Sequence, residues 1–174
     1  MSDDCHEAKE RMKEGMPIRL SAFERLILLK SHVGPGPMVD LLHALGFKAC
    51  VAALKLGLFK ALQGSALTAD EVAAIIEADP RGVAMLLEAL TAFGYIEKKK
   101  DRFQNSAMAR HWLLASGTAD LTELFFQFDD MSKRWDYLDE TIKKGAPPLM
   151  GWEWLDAHGG SWEHYHEGLG STAR

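Results

Sequence analysis

Leu67-Thr68-Ala69-Asp70-Glu71-Val72-Ala73, followed by Ala78-Asp79-Pro80-Arg81-Gly82, is the stretch on which the reading of this chain turns. Thr68 with Glu71 three residues later is a capping box, because each can satisfy a backbone N–H that the first turn of a helix leaves open. A short helix over Ala69 to about Glu77 follows. Asp79 then caps a second helix, with Pro80 at a first position where a missing N–H costs nothing. Val83, Leu86, Leu87, Leu90 and Phe93 recur at helical spacing along it, and Gly94 ends it. Tyr95-Ile96-Glu97-Lys98 and Arg102-Phe103-Gln104-Asn105 flank a polar tip, Lys99-Lys100-Asp101, and read as a small hairpin. Ser106 can cap a further helix over Ala107–Leu113.

Upstream, Met38 to Gln63 reads as one long helix, with Val39, Leu42, Leu45, Phe47, Val51, Leu54, Leu58, Phe59 and Leu62 as its apolar positions. The turn Ser31–Pro37 separates it from an apolar helical pattern that starts at Pro17 and carries Ile18, Leu20, Phe23, Leu26 and Ile27. Residues 1–16 are charged and unpatterned and read as a disordered lead-in. Downstream of Gly117, Ala119 to Lys144 reads as a long helix, and the tail to Arg174 is rich in aromatic residues, with a last helix from about Ser161. The expected fold is mainly α. A winged-helix-like domain (a helix bundle with one small β-hairpin) over 17–116 leads into a long helix and an aromatic-rich segment over 117–174.

The chain has 174 residues, 20 Lys+Arg against 25 Asp+Glu, and 47% apolar side chains. That suffices for a core without disulfide or metal staples and excludes a disordered chain. No run of roughly 18 apolar residues is present to span a membrane. Two cysteines, Cys5 and Cys50, and no apolar leader point to the reducing cytoplasm. An acidic balance argues against a nucleic-acid partner, since phosphate contacts need surplus Lys and Arg. The helix that would read DNA offers Arg81 but also Glu88, which repels phosphate, so a DNA-binding regulator rests only on the basic hairpin tip.

A more definite pattern spans Leu41 to Pro148. It comprises Leu56-Gly57-Leu58-Phe59-Lys60-Ala61-Leu62, the capping-box helix, Asp79-Pro80-Arg81-Gly82 with Leu86-Leu87-Glu88-Ala89-Leu90, Phe93-Gly94-Tyr95-Ile96, Phe103-Gln104-Asn105-Ser106, Trp135-Asp136-Tyr137-Leu138 and Lys144-Gly145-Ala146-Pro147. This series resembles the N-terminal dimerisation region of the S-adenosylmethionine-dependent small-molecule O-methyltransferases of plants and bacteria. The resemblance implies an intertwined homodimer, a long helix behind the acceptor pocket, and a separate Rossmann-like domain that binds the methyl donor and carries the catalytic base. No glycine-rich strand-to-helix loop follows an apolar strand here. The expectation is therefore that this region lacks its catalytic domain, binds no S-adenosylmethionine alone, and holds no catalytic residue.

Phe125, Phe128, Met131 and Trp135 form a stripe that suits a core or, under the resemblance, a flat acceptor. In the family an aromatic-rich helix near this point ends in a Met bordering substrate. Here Trp162 suits the aromatic position, His166 replaces an apolar residue, and Gly170 stands near the Met position. The expected acceptor-binding residues are Phe128, Met131, Trp162 and His166. His164 and His166 lie two apart, so a helix directs them to different faces and no metal is expected with His158. The leading reading is the dimerisation and acceptor-binding region of an O-methyltransferase acting on a small aromatic hydroxyl compound. A stand-alone dimerising or ligand-binding module and a DNA-binding regulator are the alternatives.

Overall fold

A computed structural model describes residues 36–114, 120–149, 151–158 and 161–172. The expected lead-in over 1–16, the helix from Pro17 and most of the turn before Pro37 lie outside the described residues. The chain divides into two compact units, one ending at Leu114 and the other following it.

In the first unit, α1 (Gly36–Lys55) opens on glycine and proline, residues suited to a first helical turn. It does not run to Gln63 as its apolar spacing suggests. Gly57 adopts φ 71°, a left-handed conformation open to glycine at little cost, and this breaks the helix. The chain resumes as α2 (Leu58–Ala61), now turned so that Leu58 and Phe59 are both buried. Periodicity could not see the break, because Leu58, Phe59 and Leu62 continue the apolar rhythm across it.

Downstream the capping signals and the structure agree. In α3 (Ala69–Ile75), Thr68 Oγ1 accepts from Glu71 N at 3.2 Å and Thr68 N donates to Glu71 Oε2 at 2.7 Å. In α4 (Pro80–Ala92), Asp79 Oδ1 accepts from Gly82 N at 2.8 Å, and Val83, Leu87 and Leu90 are buried. α1 and α4 approach closely at Gly46, where a Cβ would lie 2.9 Å from the Phe93 ring. β1 (Ile96–Lys99) and β2 (Arg102–Asn105) pair antiparallel, Ile96 opposite Asn105. Leu67 adds a bridge to Phe103, with N···O distances of 3.0 and 2.7 Å, and so ties the start of α3 to the hairpin. Ser106 caps α5 (Ala107–Leu113) through Ala109 N. The order is that of a winged-helix-like domain.

The end of α2 leaves one carbonyl without a helical partner. Gln63 N donates to Lys60 O instead of continuing the α-helical ladder to Phe59 O. The Phe59 carbonyl would be an orphan inside the core. Asn105, 1% exposed, supplies the missing donor, Nδ2 to Phe59 O at 2.8 Å.

The second unit contains α6 (Thr122–Ser132), a 3₁₀ turn (Lys133–Tyr137), α7 (Leu138–Lys144), α8 (Gly151–Ala157) and α9 (Ser161–Thr172). The long helix expected over 119–144 is thus interrupted at Lys133. Ser132 Oγ donates to the Asp129 carbonyl at 2.7 Å and Lys133 pairs with Asp130 three residues back, both of which suit a tighter turn. α7 ends at Gly145, as the glycine suggests, with φ 72°. α8 occupies ground read as loop. α6 and α9 meet where Gly168 faces Gln127: a Cβ there would lie 2.2 Å from Gln127 Oε1 and 3.0 Å from its Cβ. The buried residues of α6 are accordingly Gln127 and Asp129, while Phe128 of the apolar stripe is 53% exposed.

Replacing Asn105 by alanine strands the Phe59 carbonyl, at a cost of about 2 kcal/mol. Urea unfolding of N105A is expected to show that loss at unchanged m-value. A loss under about 0.5 kcal/mol would mean that the carbonyl finds another donor.

Candidate functional site

Two surfaces stand apart from ordinary packing, one in each unit. In the first, the buried residues of α1 lie in its C-terminal half, with Cys50, Val51 and Ala53 at 3% exposure or less. The N-terminal half presents Met38, Leu41, Leu42 and Leu45, at 50%, 53%, 39% and 55% exposure. Their i, i+3, i+4, i+7 spacing makes them one apolar stripe. Against the expectation from sequence, Pro37–Lys55 is by length and composition apolar enough to cross a membrane, and 22% of its most apolar stretch is buried. An apolar stripe this continuous on a packed domain marks a surface that meets a partner.

Two cations of the basic hairpin in the same unit are bound to its own carboxylates. Lys98 pairs with Glu88 of α4 and lies 5.1 Å over the Phe103 ring. Arg102 reaches Glu71 Oε2 and the Ala66 carbonyl, both at 3.0 Å. The backbone N–H of Thr68 holds the Glu71 carboxyl below its ordinary range against a small opposing effect of burial, and Arg102 adds to the lowering. Two of the hairpin's cations, Lys98 and Arg102, are thus engaged within the unit, while Lys99 and Lys100 are exposed.

In the second unit the aromatic tail folds back as α8 and α9, and two cavities of about 430 and 460 Å³ open beside α6 and the 3₁₀ turn. Met131, Arg134 and Trp154 border both. Trp154 is 8% exposed, stacked on His158 at 3.9 Å and edge-on to Tyr137 at 6.3 Å. Trp152, Trp162 and Tyr165 complete the aromatic side of the smaller cavity. Trp162 is oriented by its Nε1, which donates to Asp156 Oδ1 at 2.9 Å.

Of the four residues expected from sequence, the structure brings Met131 and Trp162 to the smaller cavity. Phe128 and His166 line neither cavity: Phe128 projects from an exposed position on α6, and His166 stacks on Trp162 at 5.7 Å. Sequence reasoning missed Arg134, Trp152, Trp154 and Tyr165. The tryptophans were visible as an unusual run, but with α8 unrecognised nothing assigned them a face. Arg134 carries one signal, its i+3 spacing from Met131 on the same side of the helix. His158, expected to be a surface residue, packs on Trp154, and His164 Nδ1 lies 2.7 Å from Asp130 Oδ2.

Electrostatics around α6 and α9 are uneven. Burial opposes ionisation of Asp130, but the hydrogen bonds from His164 and Lys133 outweigh it and hold the carboxyl below its ordinary value. Glu123 is shifted the other way: burial first, then its hydrogen bond and repulsion with Glu167, raise its pKa. A carboxyl raised on folding contributes stability below its unfolded pKa, and that contribution is lost as pH rises through the folded value.

Comparison with known proteins adds a family match over part of the chain. Residues 39–115 match the family model of the O-methyltransferase dimerisation domain. A 3-hydroxy-5-methyl-1-naphthoate 3-O-methyltransferase of Streptomyces sahachiroi is 32% identical over 101 residues, 55% of this chain and 28% of the relative. The tetracenomycin polyketide synthesis 8-O-methyl transferase TcmO of Streptomyces glaucescens is 38% identical over 85 residues, 47% of this chain and 25% of the relative. The match thus spans about a quarter of the length of these curated relatives. Among solved structures, PigF with SAH superposes with a TM-score of 0.69 at 24% identity, over 80% of this chain and 45% of that one. The mitomycin 7-O-methyltransferase MmcR superposes at 0.67 and 20% identity, over 79% and 43%. At these identities the structural likeness shows the shared fold.

The carboxyl pair yields a pH test. Glu167→Gln removes the repulsion on Glu123, so the variant should melt higher than the wild type at pH 7. The gap should shrink toward pH 4, where Glu123 is protonated in both. A gap independent of pH across thermal melts would show that the pair carries no repulsion.

Proposed function

We propose, from the match of residues 39–115 to the O-methyltransferase dimerisation domain, that this chain pairs with a second copy of itself and presents an acceptor-binding wall for methyl transfer to a small aromatic hydroxyl compound. The observation that carries the reading is the exposed apolar stripe of α1, Met38 to Leu45, lying within or beside the matched residues. Burying such a stripe against its two-fold copy recovers about 25 cal/mol per Å² of apolar area, and an isologous pairing needs no second partner species. The aromatic cavities of the second unit support the acceptor role, since their size and lining suit a flat ring system. Both curated relatives carry names that refer to such compounds, a hydroxynaphthoate and a polyketide.

S-Adenosylmethionine is the donor this family implies, and the described residues do not fit it. Their two strands form an antiparallel hairpin rather than a parallel sheet edge, and Gly168 and Gly170 lie inside α9, where Gly168 packs on Gln127. In our reading the donor and the base that deprotonates the acceptor hydroxyl come from outside these residues. The contribution here is assembly and positioning, which lowers the entropic cost of bringing two substrates together. Cys50 fits a structural role in a reducing cytoplasm: its thiol is pushed up to about 12 by burial, against a hydrogen bond with Tyr95.

Sedimentation at tens of micromolar tests the assembly. The wild-type chain should run as a dimer, and Leu41→Asp combined with Leu45→Asp should weaken association at least tenfold with unchanged far-UV circular dichroism. A wild-type chain that stays monomeric at that concentration overturns the reading.

A further inference from the structure

Arg134 stands where both cavities of the second unit meet, half-buried between α6 and the tryptophans of α8. Its natural partner would be Asp130, one helical turn back on the same face. That carboxylate is already engaged at both oxygens: Oδ1 takes Lys133 Nζ at 2.6 Å and Oδ2 faces His164 Nδ1 at 2.7 Å. Among the described residues no carboxylate lies within ion-pairing distance of the Arg134 guanidinium. The guanidinium lies against Gly151 of α8, where an added Cβ would be in ordinary van der Waals contact with Nη1 at 3.6 Å. A permanent cation held without a counter-charge beside apolar walls is costly, and an incoming anion relieves that cost.

We propose that Arg134 binds the carboxylate of a flat aromatic acid whose ring lies among Trp152, Trp154 and Trp162. This rests on the acceptor reading given above and narrows it to acidic acceptors. The planar guanidinium can engage both carboxylate oxygens at once, a match that a lysine ammonium lacks. The indole faces supply stacking and apolar burial for a ring at the same place. A cavity of about 430 Å³ accommodates a one- or two-ring acid, so charge and ring are recognised together. A simple inorganic anion would satisfy the guanidinium but leave the tryptophan walls unused.

Binding of 1-naphthoate and of its neutral isostere 1-naphthamide to the full chain, followed by calorimetry and tryptophan fluorescence, tests this. The wild type should prefer naphthoate by about tenfold, the size of one charge-assisted bidentate contact. Arg134→Met should erase the preference while holding naphthamide affinity within about twofold, and Arg134→Lys should keep part of it. Should the methionine variant fail to fold by circular dichroism, the lysine variant decides through its partial loss. Equal affinity of the wild type for both compounds, or an undiminished preference in the variants, overturns the role of Arg134 and leaves the acceptor reading standing. Failure of both compounds to bind at millimolar concentration removes the acceptor reading and this proposal with it.

Discussion

The bond from the Asn105 amide to the Phe59 carbonyl links parts of the first unit that are far apart in sequence and depend on one another. The Gly57 break turns Leu58 and Phe59 into the core, and the end of α2 leaves the buried Phe59 carbonyl without its helical donor. A buried carbonyl needs a partner, and here the partner comes from the last residue of the hairpin. Asn105 is positioned by strand register, opposite Ile96, and Ser106 immediately starts the next helix. The break in α1, the hairpin and α5 therefore constrain each other. Leu67 adds the α3 lead-in to the same assembly through Phe103.

With its C-terminal half committed to that core, α1 has only its other half to offer a partner. Cys50, Val51 and Ala53 hold one end, and the stripe from Met38 to Leu45 stays exposed among the described residues. Burial of a few leucines is worth several kcal/mol, a large fraction of the stability of a domain this size. In the proposed pairing of two copies, burial of this stripe and folding of α1 are coupled in energy. The salt links of the hairpin work in the opposite sense, drawing Lys98 and Arg102 onto Glu88 and Glu71 and reducing the cationic surface.

The second unit is organised around polar contacts where a simple amphipathic helix would place apolar ones. Gln127 sits against Gly168, and Asp130 gathers Lys133 and His164. This arrangement fixes α9 on α6 through contacts of defined geometry and leaves the aromatic side chains free to border open space. Rigid walls of that kind reduce the ordering cost when a ring enters.

Local signals determined much of this molecule. The Thr68–Glu71 capping box, the Asp79-Pro80 start, the Gly94 and Gly145 stops and the Ser106 cap are short-range chemistry, legible because each involves residues within a turn of one another. The hairpin and the family resemblance followed from the same markers. Met131 and Trp162 were legible as cavity residues, one from a helical stripe and the other from its place in the resemblance. Tertiary structure alone decided the break at Gly57, the 3₁₀ turn at Lys133, the helix over Gly151–Ala157 and the exposure of Phe128. It also decided that Arg134 has no carboxylate partner among the described residues while Asp130 is occupied. In each case the outcome depends on which distant group satisfies a carbonyl, a carboxylate or a helix face, and apolar spacing carries no information about that choice.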